Sequence, residues 1–277
     1  MEPSEKRLTG SGGIDLYYAE WSVDAPKAIV FVVHGVADHI GRHLPLVKLL
    51  TSNGFAVAAI DLRGHGRSGG ARAFVEAFDL YVSDVTLAVL RFRQHYPDTP
   101  AVVFGHSMGA LIALLFDIMV KPGLGGLILS SGAFELPDPQ ILQKASGIIG
   151  AIAPRLPTVR IDTSKLTGDP AVNAAVNMDP LYFTGRLPSR TAAELISATE
   201  IARSHAGELT TPLLIFHGTA DQITNPSGSE LIYELASSRD KTLHFFSDLH
   251  HETFNEPRGD EVFELILSWL DERFVRD

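Results

Sequence analysis

The sequence predicts an α/β fold, a mostly parallel central sheet flanked by helices with a helical cap inserted over one edge. Three observations carry this expectation. Apolar runs of strand length alternate with helical stretches along most of the chain. Most of those runs are continuously apolar, as strands covered on both faces must be. One long segment then interrupts the alternation with no evident strand of its own.

The expected strands are Ile14–Trp21, Ala28–Val33, Phe55–Ile60, Ala101–Phe104, Gly126–Ser130, Pro212–His217 and Thr242–Phe246. Arg42–Ser52, Asp79–Tyr96, Ser107–Val120, Ser227–Ser237 and Gly259–Phe274 read as helices between and after them. Right-handed crossovers place the functional loops at the carboxyl ends of such strands. From Ala133 to Glu208 the chain is rich in Ala, Ile, Leu and Pro, and is too long for a structureless loop. The expected division is therefore a core of residues 1–132 and 209–277, with a cap of residues 133–208.

Composition narrows the function. The chain has 277 residues, 45% of them hydrophobic and 20% charged, enough to bury a large core without staples. It contains no cysteine, which removes disulfides, thiolate metal sites and a cysteine nucleophile together. A formal net charge of −10 disfavours a nucleic-acid partner, since phosphate backbones reward clustered cations. The polar start, Met1-Glu2-Pro3-Ser4-Glu5-Lys6-Arg7, lacks a signal core, and no apolar run is long enough to span a bilayer. The expectation is a cytoplasmic enzyme, peripherally membrane-associated at most, with no metal and no cofactor.

The chemistry centres on Gly105-His106-Ser107-Met108-Gly109, between the strand Ala101–Phe104 and a helix opening Ala110-Leu111-Ile112. Strand, sharp turn and helix are the setting of the nucleophile elbow of the α/β-hydrolase fold. A serine hydroxyl is a poor nucleophile at neutral pH, so it needs a base, and the base needs an orienting acid. In this fold the acid precedes the histidine along the chain. Asp221, in the turn after Pro212–His217, is the natural acid; Asp138, soon after the preceding strand, is the alternative. The base is His250 or His251, adjacent after the last strand, and spacing does not choose between them. The oxyanion hole needs two backbone N–H groups, expected at Met108 and at Val36 in the loop after Ala28–Val33.

These segments together resemble the monoacylglycerol lipase and lysophospholipase-like serine hydrolases. His34-Gly35-Val36-Ala37-Asp38-His39-Ile40-Gly41-Arg42 is similar to their His-Gly-x-x-x-His-x-x-Arg segment. Asp61-Leu62-Arg63-Gly64-His65-Gly66-Arg67-Ser68 is similar to their Asp-x-Arg-Gly-His-Gly-x-Ser loop, and Gly105–Gly109 to their elbow. Asp179-Pro180-Leu181 resembles a segment at the far end of their cap. His251-Glu252-Thr253-Phe254-Asn255-Glu256 resembles the surroundings of their catalytic histidine, which selects His251. The resemblance implies hydrolysis of a monoacylglycerol, with the cap forming an apolar acyl tunnel. His43 and His250 stand where the family often has aromatics, so both are expected to shape the alcohol-side pocket, with His39 as a further lining residue. The first part of the cap, Gln140–Gly168, carries Lys144, Arg155, Arg160 and Lys165 against Asp162 alone. That stretch, with Ile148-Ile149-Gly150-Ala151-Ile152, reads as a packed helix with solvated charges; contact with a lipid interface is the alternative.

Two other patterns are decoys. Gly64-His65-Gly66-Arg67-Ser68-Gly69 has dinucleotide-site spacing but opens no helix. In His251-Glu252-Thr253-Phe254-Asn255, asparagine stands where a zinc-protease helix needs its second histidine. His34, His65 and His106 are expected to hold loops around the elbow.

Overall fold

The structure, a computed structural model, describes residues 2–136 and 147–274. Its centre is a sheet of eight strands in the order β1-β2-β4-β3-β5-β6-β9-β10. These are β1 (Ser4–Gly10), β2 (Ile14–Trp21), β3 (Ile29–Val33), β4 (Ala56–Ile60), β5 (Ala101–His106), β6 (Gly126–Ser130), β9 (Leu213–Gly218) and β10 (Lys241–Phe246). β1 and β2 run antiparallel at one edge, and every pairing from β4 to β10 is parallel. All seven expected strands form. Strand β1 was not expected, because an edge strand need not be apolar: along Ser4–Gly10 only Gly10 is fully buried.

The central strands β3, β4, β5, β6 and β9 are buried along their whole length, as continuous apolar runs require. Helices α1 (Leu44–Ser52) and α8 (Gly259–Asp271) cover one face through Leu46, Leu50, Ile266 and Trp269. Helices α2 (Asp79–Arg93), α3 (Met108–Val120) and α7 (Pro226–Leu235) cover the other. α3 is buried from Met108 to Ile118, because α2 and α6 (Ser189–His205) close over the side it turns from the sheet. An apolar all-round helix is stable only in such a position.

The segment between β6 and β9 holds helical residues 147–152 (α4), α5 (Pro170–Met178) and α6, as a mostly helical reading expects. It also holds a two-stranded antiparallel ribbon, β7 (Pro157–Arg160) with β8 (Arg186–Pro188), which corrects the expectation that no strand lies there. Strands of four and three residues with exposed ends carry no periodic signal long enough to read. Among the described residues, no helix is long and apolar enough to cross a membrane.

The strand order sets the site. β3 leads outward to β4, and the chain then crosses back to place β5 on the other side of β3. The loops leaving β3 and β5 therefore part at a topological switch point, where open α/β sheets form their crevice.

Candidate active site

Ser107 follows β5 directly and occupies φ 56°, ψ −121°, a strained conformation for a residue with a side chain. Two glycines make the turn fit. A Cβ on Gly105 would lie 2.3 Å from Gly109 O, and one on Gly109 would lie 2.2 Å from Val33 O. Strand β3 and helix α3 thus meet backbone to backbone, and Ser107 projects over the sheet beside the positive end of α3. Gly35 lies against the serine from the β3 loop; a Cβ there would sit 3.0 Å from Ser107 Cβ. Val36 follows it into the pocket that Ser107 lines, and Met108 opens α3.

The loops after β9 and β10 complete the constellation. Ser107 Oγ donates to His251 Nε2 at 2.9 Å, and His251 Nδ1–H donates to Asp221 Oδ2 at 2.7 Å. All three residues are buried. Asp221 Oδ1 accepts the backbone N–H groups of Ile223 (2.7 Å) and Thr224 (3.1 Å), which fixes the carboxylate plane. Its Oδ2 also takes the Thr224 hydroxyl at 3.0 Å and His217 Nε2–H at 2.9 Å. Burial works against the Asp221 charge, but His251 and these hydrogen bonds hold its carboxyl well below the usual carboxylate range. Burial likewise opposes a charged His251, yet the Asp221 carboxylate raises its proton affinity above that of a free imidazole. His106 packs its ring 4.9 Å from that of His251 and meets Ser130 Oγ at 3.2 Å; burial and the neighbouring His251 charge keep it neutral.

The expected loop-holding histidines find their partners. His34 donates from Nδ1 to Gly35 O (2.7 Å) and accepts Leu62 N–H at Nε2 (2.9 Å), joining the loops after β3 and β4. His65 caps Arg63 O at 2.9 Å. Asp61 accepts Ile40 N–H and Arg67 N–H, and Arg63 pairs with Asp84 through two 2.6 Å hydrogen bonds. The glycine-rich loop after β4 is thus tied down by its own side chains.

The pocket at Ser107 is closed above by Ile161, Leu166, Tyr182 and Ile223, with Asp38 and Glu252 at its polar side. Arg42 bridges Asp38 and Glu252 and lies under the Tyr182 ring. His39 is buried beside this pocket, its Nε2 2.8 Å from Asp179 Oδ2. With the hydrogen bond from Phe183 N–H to Ala37 O (2.8 Å), this fastens the Asp179–Phe183 segment to the β3 loop.

Among the described residues, His250 Nδ1 meets Glu256 Oε1 at 2.9 Å, and its ring faces a polar groove with Thr167, Asn173 and Asn177. His43 lies behind Asp38 (2.8 Å), packed on Phe254 and His106. The alternative acid Asp138 and the cap residue Lys144 lie outside the described residues. Among the described residues no cluster of His, Asp and Glu has the geometry to hold a metal. Two residues sequence reasoning missed are Thr224 and His217, both on the acid. An i, i+4 pair that starts in a strand and ends in a turn has no sequence pattern to betray it.

Residues 24–258 match the family model described as serine aminopeptidase, S33. A monoacylglycerol lipase of Mycolicibacterium smegmatis is 33% identical over 96% of both chains. Human monoglyceride lipase is 32% identical over 96% of this chain and 90% of its own. Among solved structures, the monoacylglycerol lipase of Paleococcus ferrophilus superposes with a TM-score of 0.84 at 29% identity, over 93% of this chain and 99% of that one. With the sheet order, the strained serine and these relatives in agreement, the chain belongs to the monoacylglycerol lipase-like serine hydrolases of the α/β-hydrolase fold.

Proposed function

We propose that this protein hydrolyses the ester bond of monoacylglycerols to a fatty acid and glycerol, through an acyl-enzyme on Ser107. One observation carries the reading: an unbroken hydrogen-bonded run from Ser107 Oγ through His251 to Asp221, beginning at a strained elbow. Ser107 Oγ attacks the ester carbonyl carbon as its proton passes to His251 Nε2, and Asp221 holds the imidazole tautomer and the imidazolium. The oxyanion accepts the N–H groups of Val36 and Met108, helped by the α3 dipole. Collapse breaks the bond to the glycerol oxygen, which takes the proton from His251. Water then enters and attacks the acyl carbon as it loses a proton to His251; the bond to Ser107 Oγ breaks, Oγ takes that proton back, and the acid is released.

Residues 133–208 serve as the cap over a core of residues 1–132 and 209–277. Ile161, Leu166 and Tyr182 then form an apolar wall above Ser107, against which the acyl chain would lie. The outer face of the cap exposes Ile148 (66%), Ile152 (80%), Leu156 and Val159. We read this face as transiently resting on the lipid surface that supplies the substrate, in a cytoplasmic enzyme. Flotation with liposomes checks this; wild-type protein left in the bottom fraction, like Ile148→Ser/Ile152→Ser, refutes it.

The test of the main reading is a series of monoacylglycerols of rising chain length, set against diacylglycerols, triacylglycerols and lysophospholipids. Monoacylglycerols should be turned over fastest. A fluorophosphonate probe should label wild type and not Ser107→Ala; equal labelling of the two overturns the nucleophile assignment.

A further inference from the structure

The acid of the site is shared by two histidines, and only one of them faces the serine. Asp221 Oδ2 receives His251 Nδ1 at 2.7 Å and His217 Nε2 at 2.9 Å. His217 ends β9, is fully buried, and reaches on its far side Ser229 Oγ of α7 at 2.8 Å. Its tautomer follows from its partners. A carboxylate can only accept, so Nε2 carries the proton, and Nδ1 accepts the Ser229 hydroxyl proton. Ser229 is itself fully buried on α7, so the imidazole is locked from behind.

We propose that His217, locked by Ser229, is a positioning residue that shares the acid's Oδ2 with His251 and limits how strongly that oxygen pulls on the base. An oxygen that already accepts from His217 and Thr224 has less electron density to offer His251. Take away the His217 donor and the same oxygen becomes a better acceptor, so His251 becomes more basic. The base is then protonated over a wider pH range and works only at higher pH. The loss of a buried donor also frees the carboxylate to turn, which misaligns His251 and lowers turnover.

This inference rests on the triad reading above, and the test separates the two. The pH dependence of kcat/KM with a short-chain chromogenic ester is measured for wild type, His217→Leu, His217→Gln and Ser229→Ala. In His217→Leu the acid limb should move up by about half a pH unit or more, with kcat down about tenfold. His217→Gln should restore both, since its amide nitrogen can donate from nearly the place of Nε2. Ser229→Ala, which removes the anchor behind the ring and lets it drift from Oδ2 while the carboxylate still fixes the tautomer, should shift the limb in the same direction by a smaller amount. The other titratable and charged groups around His251, namely Asp38, Glu252, Arg42 and His106, are untouched in all three. An acid limb unmoved in His217→Leu, or moved equally in His217→Gln, overturns the inference. Should His217→Leu not fold, Ser229→Ala with an unmoved limb overturns it alone. Probe labelling of Ser107 in wild type reports the triad reading separately, and its absence would sink that reading and not only this one.

Discussion

Replacing Asp221 by asparagine tests the site at its most constrained point. Two backbone N–H groups, of Ile223 and Thr224, donate to Oδ1. The asparagine oxygen must take that place, since the flipped amide would set its NH2 against both donors. That flip would leave two buried donors unsatisfied, at about 1–3 kcal/mol each. The NH2 therefore faces His251 Nδ1 and His217 Nε2, where its two hydrogens find two ring nitrogens 2.7 and 2.9 Å from the present Oδ2. His251 must then accept at Nδ1 and carry its proton on Nε2, pointing at Ser107 Oγ. The base is lost although both histidines keep a hydrogen bond and the Thr224 hydroxyl, displaced from Oδ2, still has Ser131 O at 3.2 Å, so the variant should fold normally. Such a tautomer trap lowers kcat by about 10⁴-fold in a serine protease triad, or about 5 kcal/mol of barrier, and the same fall is expected here. Turnover of a short-chain chromogenic ester near neutral pH measures it, with circular dichroism confirming the fold. A loss below tenfold would show that Asp221 does not set the tautomer of the base.

Three other outcomes follow from the geometry. Gly109→Ala drives a Cβ to 2.2 Å from Val33 O and 2.5 Å from His34 O; the strand–helix contact must open, costing about 3 kcal/mol or more of stability in a denaturant titration. Because Asp221 raises the proton affinity of His251, the acid limb of kcat/KM should lie above the free-imidazole value of about 6.5, and a limb at or below it contradicts the pairing. Burial lowers His34 to about 4 and His65 to about 3, so the unfolded chain binds protons that the native state refuses. That stabilisation is complete above the unfolded imidazole pKa of about 6.5 and is lost as pH falls through the folded values. Chemical denaturation should accordingly show stability falling between about pH 6.5 and 4, by about 3 kcal/mol for His34 alone, and His34→Gln should flatten the fall.

Much of the fold was legible because burial writes itself into composition. Strands covered on both faces must be apolar throughout, and those runs located seven of the eight sheet strands. β1 escaped because its edge position lets Ser4, Glu5, Arg7 and Thr9 face water. The short ribbon β7–β8 escaped because it is held by Leu187 and by the Thr158 hydroxyl on Leu187 O, not by any pattern. At the site, order along the chain found Ser107 and Asp221, whereas the choice between His250 and His251 came from resemblance and not from physics. Neighbouring residues in a turn can point in opposite directions, and only the fold sends His251 to the serine and His250 to Glu256. His39 was expected in the pocket; its partner Asp179 is 140 residues away, beyond any local reading.

The Asp38–Arg42–Glu252 cluster has a consequence for traffic through the pocket. An ester enters uncharged and glycerol leaves uncharged, but the other product ionises to a carboxylate at neutral pH. It is born beside the Asp38 and Glu252 carboxylates, which share the single guanidinium of Arg42. The substrate feels little of this potential and the anionic product feels all of it. The same fixed charges that build the wall of the site thus act as a one-way valve, indifferent to what comes in and repelling what has been made.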